Sequence, residues 1–223
     1  MASGSFQISR DASSSQLTRS SRVRDLEDSI ALMTEAGHAE WDKRHRGKPA
    51  GEPEPFLVAM LARIPRGVVL DVAAGRGRNA LALARAGMRV VAVDYSAEAM
   101  RLLVATARDA RLAIWPVVAN LDSFHLKDES FDAIVNINFL DRALFPNFAR
   151  ALRPGGMLIT ETFLVDQAAI GHPRDPRFLL AHGELRALAA GLEVEEYREG
   201  MVTYPNGEHA YRASMLARRR KPI

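Results

Sequence analysis

The sequence predicts an open α/β fold: a doubly wound sheet, mostly parallel, closed by an antiparallel C-terminal hairpin. Three observations predict it. Apolar runs of strand length alternate with helix-spaced segments between residues 67 and 163. Small residues break the chain where each run ends. The last two strand-like runs flank Pro205-Asn206-Gly207, and Asn-Gly is a strong hairpin signal.

Asp25 to His45 mixes charge with apolar residues at Leu26, Ile30, Leu32, Met33 and Trp41, a spacing that suits a helical lead-in. Gly47 to Pro55, with three prolines and two glycines, must be a turn-rich connector. A short helix is expected over Phe56 to Ile64, and strand one over Gly67 to Asp71. The first crossover helix runs from Asn79 to Ala86 and stops at Gly87. Met88 to Val93 is strand two, and Ser96 is placed to cap a helix over Ala97 to Arg108. Leu112 to Val118 and Phe131 to Ile137 supply strands three and four, the latter followed by a helical stripe of Leu144, Phe145, Phe148 and Leu152. Pro154-Gly155-Gly156 breaks that helix before strand five, Met157 to Phe163. Glu193 to Tyr204 and Ala210 to Ala217 complete seven strands.

At 223 residues and 48% hydrophobic, the chain can bury one good α/β core. No apolar run approaches a bilayer span. The absence of cysteine excludes disulfides, thiolate metal sites and cysteine nucleophiles. With 30 basic against 27 acidic residues, a net charge of +3 is weak support for nucleic-acid binding. The histidines lack metal-ligand spacing, so no metal is expected. Residues 1–22, with eight serines and three arginines, are expected to be a disordered tail; the same composition fits a targeting segment or an added extension. Residues 23–55 are expected to form a helical lid and connector, 56–218 the α/β domain, and 219–223 a basic tail. A cytoplasmic location is expected, and oligomeric state is left open.

In an open α/β sheet the ligand lies beyond the carboxyl ends of the strands at the switch point, which centres attention on the loop after strand one. Gly75 and Gly77 lie there, and Gly77 opens a helix whose free N–H groups favour polar ligand atoms. Gly75 to Ala80 also satisfies the dinucleotide pattern GxGxxG/A, a weak signal alone. In that fold the glycines follow the strand directly. Here Asp71 ends the strand four residues before Gly75, and an acid there would face a ligand ammonium better than a pyrophosphate.

The segment VLDVAAGRGRN, Val69 to Asn79, resembles the first motif of class I S-adenosylmethionine-dependent methyltransferases, whose fold is a Rossmann-like seven-stranded sheet. Ala73 stands where that family has the first of its alternate glycines, a mild departure provided the position does not need positive φ. The resemblance continues through VVAVDYS, and implies that Asp94 accepts hydrogen bonds from the ribose hydroxyls, with Tyr95 beside it. On that basis Asp94→Ala is expected to weaken cofactor binding with little change in fold stability. The resemblance also implies that Asn120 takes the adenine amino group and Leu121 offers its N–H to the ring, Asp122 being a competing choice. Asn79 falls within the motif, and Asn136 falls where strand four meets cofactor and substrate, or it caps the loop. Longer stretches, Trp41 to Leu57, Asn138 to Phe163 and Asp175 to Val194, are similar to bacterial tellurite-resistance-type methyltransferases. Arg44 in the first of these either reaches the cofactor carboxylate or is an exposed helix arginine.

The implied reaction is in-line transfer of an activated methyl group, catalysed mainly by positioning, with no catalytic triad required. Candidate acceptor-facing residues are Phe139, Arg142, Glu161 and His172, each with a plain structural alternative such as core packing, a surface ion pair or a turn. The loop Asn136-Ile137-Asn138-Phe139 lacks the prolines that go with methylation of nucleic-acid or protein amino groups. A small-molecule or metalloid acceptor is therefore expected. An RNA or protein methyltransferase and an inactive cofactor-binding module working through a partner are the alternatives.

Overall fold

The computed structural model describes residues 41–43, 45–46, 49–121 and 125–221. The tail expected over 1–22, most of the expected lid, Arg44 and Asp122 lie outside the described residues.

Seven strands form one sheet in the order β3-β2-β1-β4-β5-β7-β6. Strands β1 (Val68–Val72), β2 (Arg89–Asp94), β3 (Ile114–Val118), β4 (Phe131–Ile137) and β5 (Leu152–Phe163) run parallel. Strand β7 (His209–Arg218) is antiparallel to both β5 and β6 (Glu193–Thr203). The doubly wound sheet with an antiparallel end is therefore the fold observed. The order reverses between β1 and β4, which sets the crevice above the carboxyl ends of those two strands.

The helices are α1 (Pro55–Met60), α2 (Arg78–Arg85), α3 (Ala97–Asp109), α4 (Phe145–Ala151), α5 (Gln167–Ile170) and α6 (Glu184–Leu188). Helix α1 is shorter than the sequence suggests because the chain tightens into a 3₁₀ turn over Leu61–Arg63. Ser96 caps α3, its hydroxyl accepting the Ala99 N–H at 3.0 Å. Helix α4 ends at Ala151, and extended pairing begins at Leu152, so Pro154-Gly155-Gly156 lies inside an irregular strand instead of ending the helix.

The period of two along each strand sorts side chains into two cores. Val69, Val135, Ile137 and Ile159 pack with Leu57, Leu83 and Leu103 from α1, α2 and α3. Leu70, Ile134, Leu158 and Met215 pack with Phe145, Phe148 and Leu185 from α4 and α6. Among the described residues, no helix is long and apolar enough to cross a membrane.

The sheet lies in a compact unit spanning His38–Ile223. Asp42 accepts hydrogen bonds from the Ser96 hydroxyl and from the Glu98 N–H, and Glu54 is buried against α2. The described part of the expected lid and connector is thus built into the same unit as the sheet.

Candidate functional site

The loop after β1 owes its shape to three alternate left-handed residues: Ala73 (φ 51°), Gly75 (φ 54°) and Gly77 (φ 80°). Hydrogen bonds from Ala74 N–H to Val93 O (3.0 Å) and from Gly77 N–H to Ala74 O (2.9 Å) fold it over the start of α2. A Cβ on Gly77 would stand 2.3 Å from the Cδ1 of Leu103, which is fully buried, so glycine is required there by space as well as by φ. Ala73 needs correcting against the sequence expectation. Its φ is positive, and an L-residue with a Cβ held there costs roughly 1 kcal/mol, so the replacement of glycine is a strained one.

Asp71 is 1% exposed, and its Oδ2 has no hydrogen-bond partner among the described residues. Burial pushes its pKa from 3.8 up to about 7; the Ala80 N–H at the start of α2 pulls the other way, and Asp94 adds to the rise. Asp94, at the end of β2, accepts the Gly75 N–H on Oδ2 (2.7 Å) and the Ser96 N–H on Oδ1 (2.8 Å). The Ala119 N–H donates to Asp94 O at 3.0 Å, which sets half-buried Asn120 and buried Leu121 beside the β2 end. Tyr95 is half-buried at the same end.

One of the sequence candidates serves structure, and another lies on the far face of the sheet. Asn79 is buried, and its Oδ1 accepts the Glu54 N–H at 3.0 Å, fastening the connector to α2. Asn136 is also buried, but the period of two puts it with Val72 and Thr160 on the sheet face opposite Asp71. Its Oδ1 has no partner among the described residues.

A groove of about 770 Å³ opens between α1 and the β6–β7 hairpin. Its apolar part includes Phe56, Met60 and Val202; its polar part includes Glu54, Glu161, Tyr204, Arg212 and Ser214. Of the four acceptor-facing candidates, only Glu161 lines it. Phe139 packs against the second core. The Arg142 guanidinium is engaged by the Glu184 carboxylate and the carbonyls of Arg177 (3.2 Å) and Leu179 (2.9 Å). His172 is exposed.

Sequence reasoning missed the groove's other polar residues. Glu54, 2% exposed, binds Arg78 Nη2 at 2.7 Å and accepts the Tyr204 hydroxyl at 2.9 Å. Arg212, 5% exposed, donates to Asn138 Oδ1, lies 3.8 Å from Glu54 and stacks its guanidinium 3.9 Å from the Phe163 ring centre. Glu161, 4% exposed, accepts the Ser214 hydroxyl on Oε2, and burial pushes its pKa up. Burial also pushes the Tyr204 phenol up to about 12, so it remains a donor to Glu54. Arg212 and Ser214 did leave a signal: they are the polar residues on one face of an otherwise apolar strand, AYRASMLA. Glu54 left none, because a connector rich in proline and glutamate gives no hint of which acid turns inward.

Residues 69–156 match the family model described as a methyltransferase domain. The sheet around that segment shares its fold with solved structures described as S-adenosylmethionine-dependent methyltransferases. A demethylmenaquinone methyltransferase of Renibacterium salmoninarum is 30% identical over 143 residues, 60% of this chain and 55% of that protein. An uncharacterised Mycobacterium tuberculosis protein is 31% identical over 109 residues, 47% of this chain and 40% of the other. The chain thus spans 40% to 55% of the length of these curated relatives. Among solved structures, TehB from Haemophilus influenzae superposes with a TM-score of 0.65 at 24% identity, covering 75% of this chain and 62% of that one. A structure described by the conversion of a disulfide bond into a thioacetal group during echinomycin biosynthesis gives a TM-score of 0.67 at 25% identity, covering 86% and 94%. The glycine loop, Asp71 and Asp94 fall inside the matched segment; Glu54, Glu161 and Arg212 fall outside it.

Proposed function

We propose that this methyltransferase transfers the methyl group of S-adenosylmethionine to a small molecule bound in the groove. The observation that carries the reading is Asp71: a carboxylate buried beneath the glycine loop with one oxygen unpartnered among the described residues. A cationic group of the ligand supplies what that oxygen lacks, and the α-ammonium of S-adenosylmethionine fits where a pyrophosphate would be repelled. The backbone of Gly75 gives close approach, Asp94 faces the ribose, and Asn120 with Leu121 takes the adenine. Arg44 is the remaining cofactor candidate. When bound, the cofactor supplies an activated methyl on a sulfonium; the protein's work is to align the acceptor and exclude water.

A small-molecule acceptor is supported by the groove's size and mixed lining, and by relatives whose names refer to demethylmenaquinone and to echinomycin biosynthesis. The domain boundary that goes with this reading places residues 56–218, together with the inward-turned Glu54, in the catalytic unit. A cytoplasmic location accompanies it, and no nucleic-acid or membrane partner is required. S-adenosylmethionine should raise the melting temperature while NAD should not, because the ligand binds only the folded state. The absence of any shift with S-adenosylmethionine overturns the cofactor assignment. Incubation with methyl-labelled cofactor and separate metabolite, RNA and protein pools tests the acceptor class, and label confined to RNA overturns it.

A further inference from the structure

Glu161 occupies an unusual position for an acid. It sits at the carboxyl end of β5, in register with Ile137 at the end of β4 and with Ser214 on β7, on the sheet face that also carries Asp71. It is one strand from the switch point and lines the groove. Ser214 takes one of its oxygens; the other, Oε1, has no hydrogen-bond partner among the described residues.

The charges around it are disposed in a particular way. Glu54 comes from the connector, Arg78 from α2, Arg212 from β7, and Tyr204 from the turn after β6. Glu54 is closed by Arg78 at 2.7 Å, while Arg212 lies farther from it at 3.8 Å. Glu54 and Glu161 are thus balanced as a set by Arg78 and Arg212, both of which act on the Glu161 carboxylate. A proton arriving on Glu161 would leave the Arg212 cation to stabilise a new anion nearby, with the net charge of the site unchanged.

We propose that Glu161 is the proton acceptor for a hydroxyl-bearing acceptor, a phenol or enol with an apolar body, seated in the groove between α1 and the β6–β7 hairpin. The acceptor O–H bond breaks and its proton passes to Glu161 Oε1. The oxygen forms the O–CH₃ bond as the S–CH₃ bond breaks, and that electron pair stays on sulfur. The proton leaves Glu161 for solvent after product release.

Phe56, Met60 and Val202 hold the apolar body, and the polar inner end takes the hydroxyl. A phenolic proton, with a pKa near 10, is within range of a carboxylate whose own affinity for protons is raised by burial; an alkanol is not. A nucleophile that needs no deprotonation, such as a thiolate or an oxyanion of a metalloid, would have no use for this group.

The inference rests on the methyl-donor reading, and the test separates the two. Wild type and Glu161→Gln are assayed with S-adenosylmethionine and two probes: 4-nitrophenol, ionised at mildly alkaline pH, and 4-methylphenol, protonated there. S-adenosylmethionine affinity is measured calorimetrically for both proteins. Glutamine preserves shape and can still accept the Ser214 hydroxyl, so folding is retained and checked by melting.

The expected result is equal cofactor affinity, a loss of at least about a hundredfold in kcat with 4-methylphenol, and a much smaller loss with 4-nitrophenol. Wild-type kcat with 4-methylphenol should rise with pH and level off once Glu161 is ionised, whereas Glu161→Gln should keep rising towards the phenol pKa near 10. Equal losses with both phenols overturn the proton-acceptor role, as does an unchanged pH profile. Methylation of neither phenol by a wild type that binds S-adenosylmethionine overturns the acceptor class while leaving the donor reading standing. Failure of the wild type to bind S-adenosylmethionine overturns the donor reading and the inference with it.

Discussion

Replacing Asp71 by asparagine should stabilise the ligand-free protein at neutral and alkaline pH while weakening its hold on a cationic ligand. Burial raises the Asp71 pKa from 3.8 to about 7, so folding keeps a proton that the unfolded chain gives up. Three units at about 1.4 kcal/mol each give about 4 kcal/mol. The sign follows from the direction of the shift. The stabilisation from the protonated acid is complete below the unfolded value and is lost as pH rises through the folded one. Asparagine has no such proton to lose. The stability of Asp71→Asn minus that of wild type should therefore climb with pH, by about 3 kcal/mol between about pH 5 and pH 8.5, where most of the loss remains to occur. At 2–4 °C per kcal/mol, that is roughly 10 °C in melting temperature. Urea unfolding at the two pH values gives the difference directly, and shifts from other acids cancel between the two proteins. The same carboxylate should release up to about half a proton when S-adenosylmethionine binds near pH 7, because a cation beside it restores its charge. Calorimetry in two buffers of unequal ionisation heat reads that release, which should vanish in the variant. A stability difference independent of pH would refute the account of Asp71 as a buried acid held at a cost for its ligand.

Three further substitutions test the loop. Gly77→Ala should cost about 3 kcal/mol, from a left-handed φ and a Cβ 2.3 Å from Leu103, whereas Gly75→Ala, whose Cβ meets only His45 at 3.4 Å, should cost about 1 kcal/mol; equal losses in urea unfolding would show that the packing against α3 gives way. Asp94→Ala should cost about 2–4 kcal/mol, because it strips the acceptor from the Gly75 and Ser96 N–H groups at once; unchanged stability would mean that water replaces the carboxylate.

That last expectation reverses the one drawn from sequence, and the reason is physical. A strand-end acid after four apolar residues announces that it faces the ligand end, but sequence is silent on which backbone amides it also holds. The strands and crossover helices were legible because each carries its own period and punctuation: Phe131–Ile137 and the cap at Ser96 are local facts. The motif acids were legible for the same reason. The groove was not. Glu54, Arg78, Asn138, Tyr204 and Arg212 lie far apart in the chain, and the hairpin of β6 and β7 brings the last two to the others. Arg142 shows the converse. It stands at a suggestive position after β4, yet its guanidinium secures the segment from Arg177 to Glu184. Ala73 marks a third limit, since its identity was visible and its φ of 51° was not.

The two buried acids on one sheet face divide the work that the fold must do. Asp71 and Glu161 are both raised by burial, but their surroundings call for different partners. Asp71 has Asp94 as its charged neighbour on one side and only a distant pull from Arg78, so a cation resolves its cost. Glu161 already feels the Arg212 cation, and a second cation would be repelled; a proton is the positive charge that fits. Arg78 opens α2 directly after the glycine loop and holds Glu54 at the groove, so the structure that presents the donor also fixes the wall against which the acceptor lies. A loop displaced by Gly77→Ala should therefore disturb acceptor binding as well as cofactor binding, although neither contact is made by Gly77 itself.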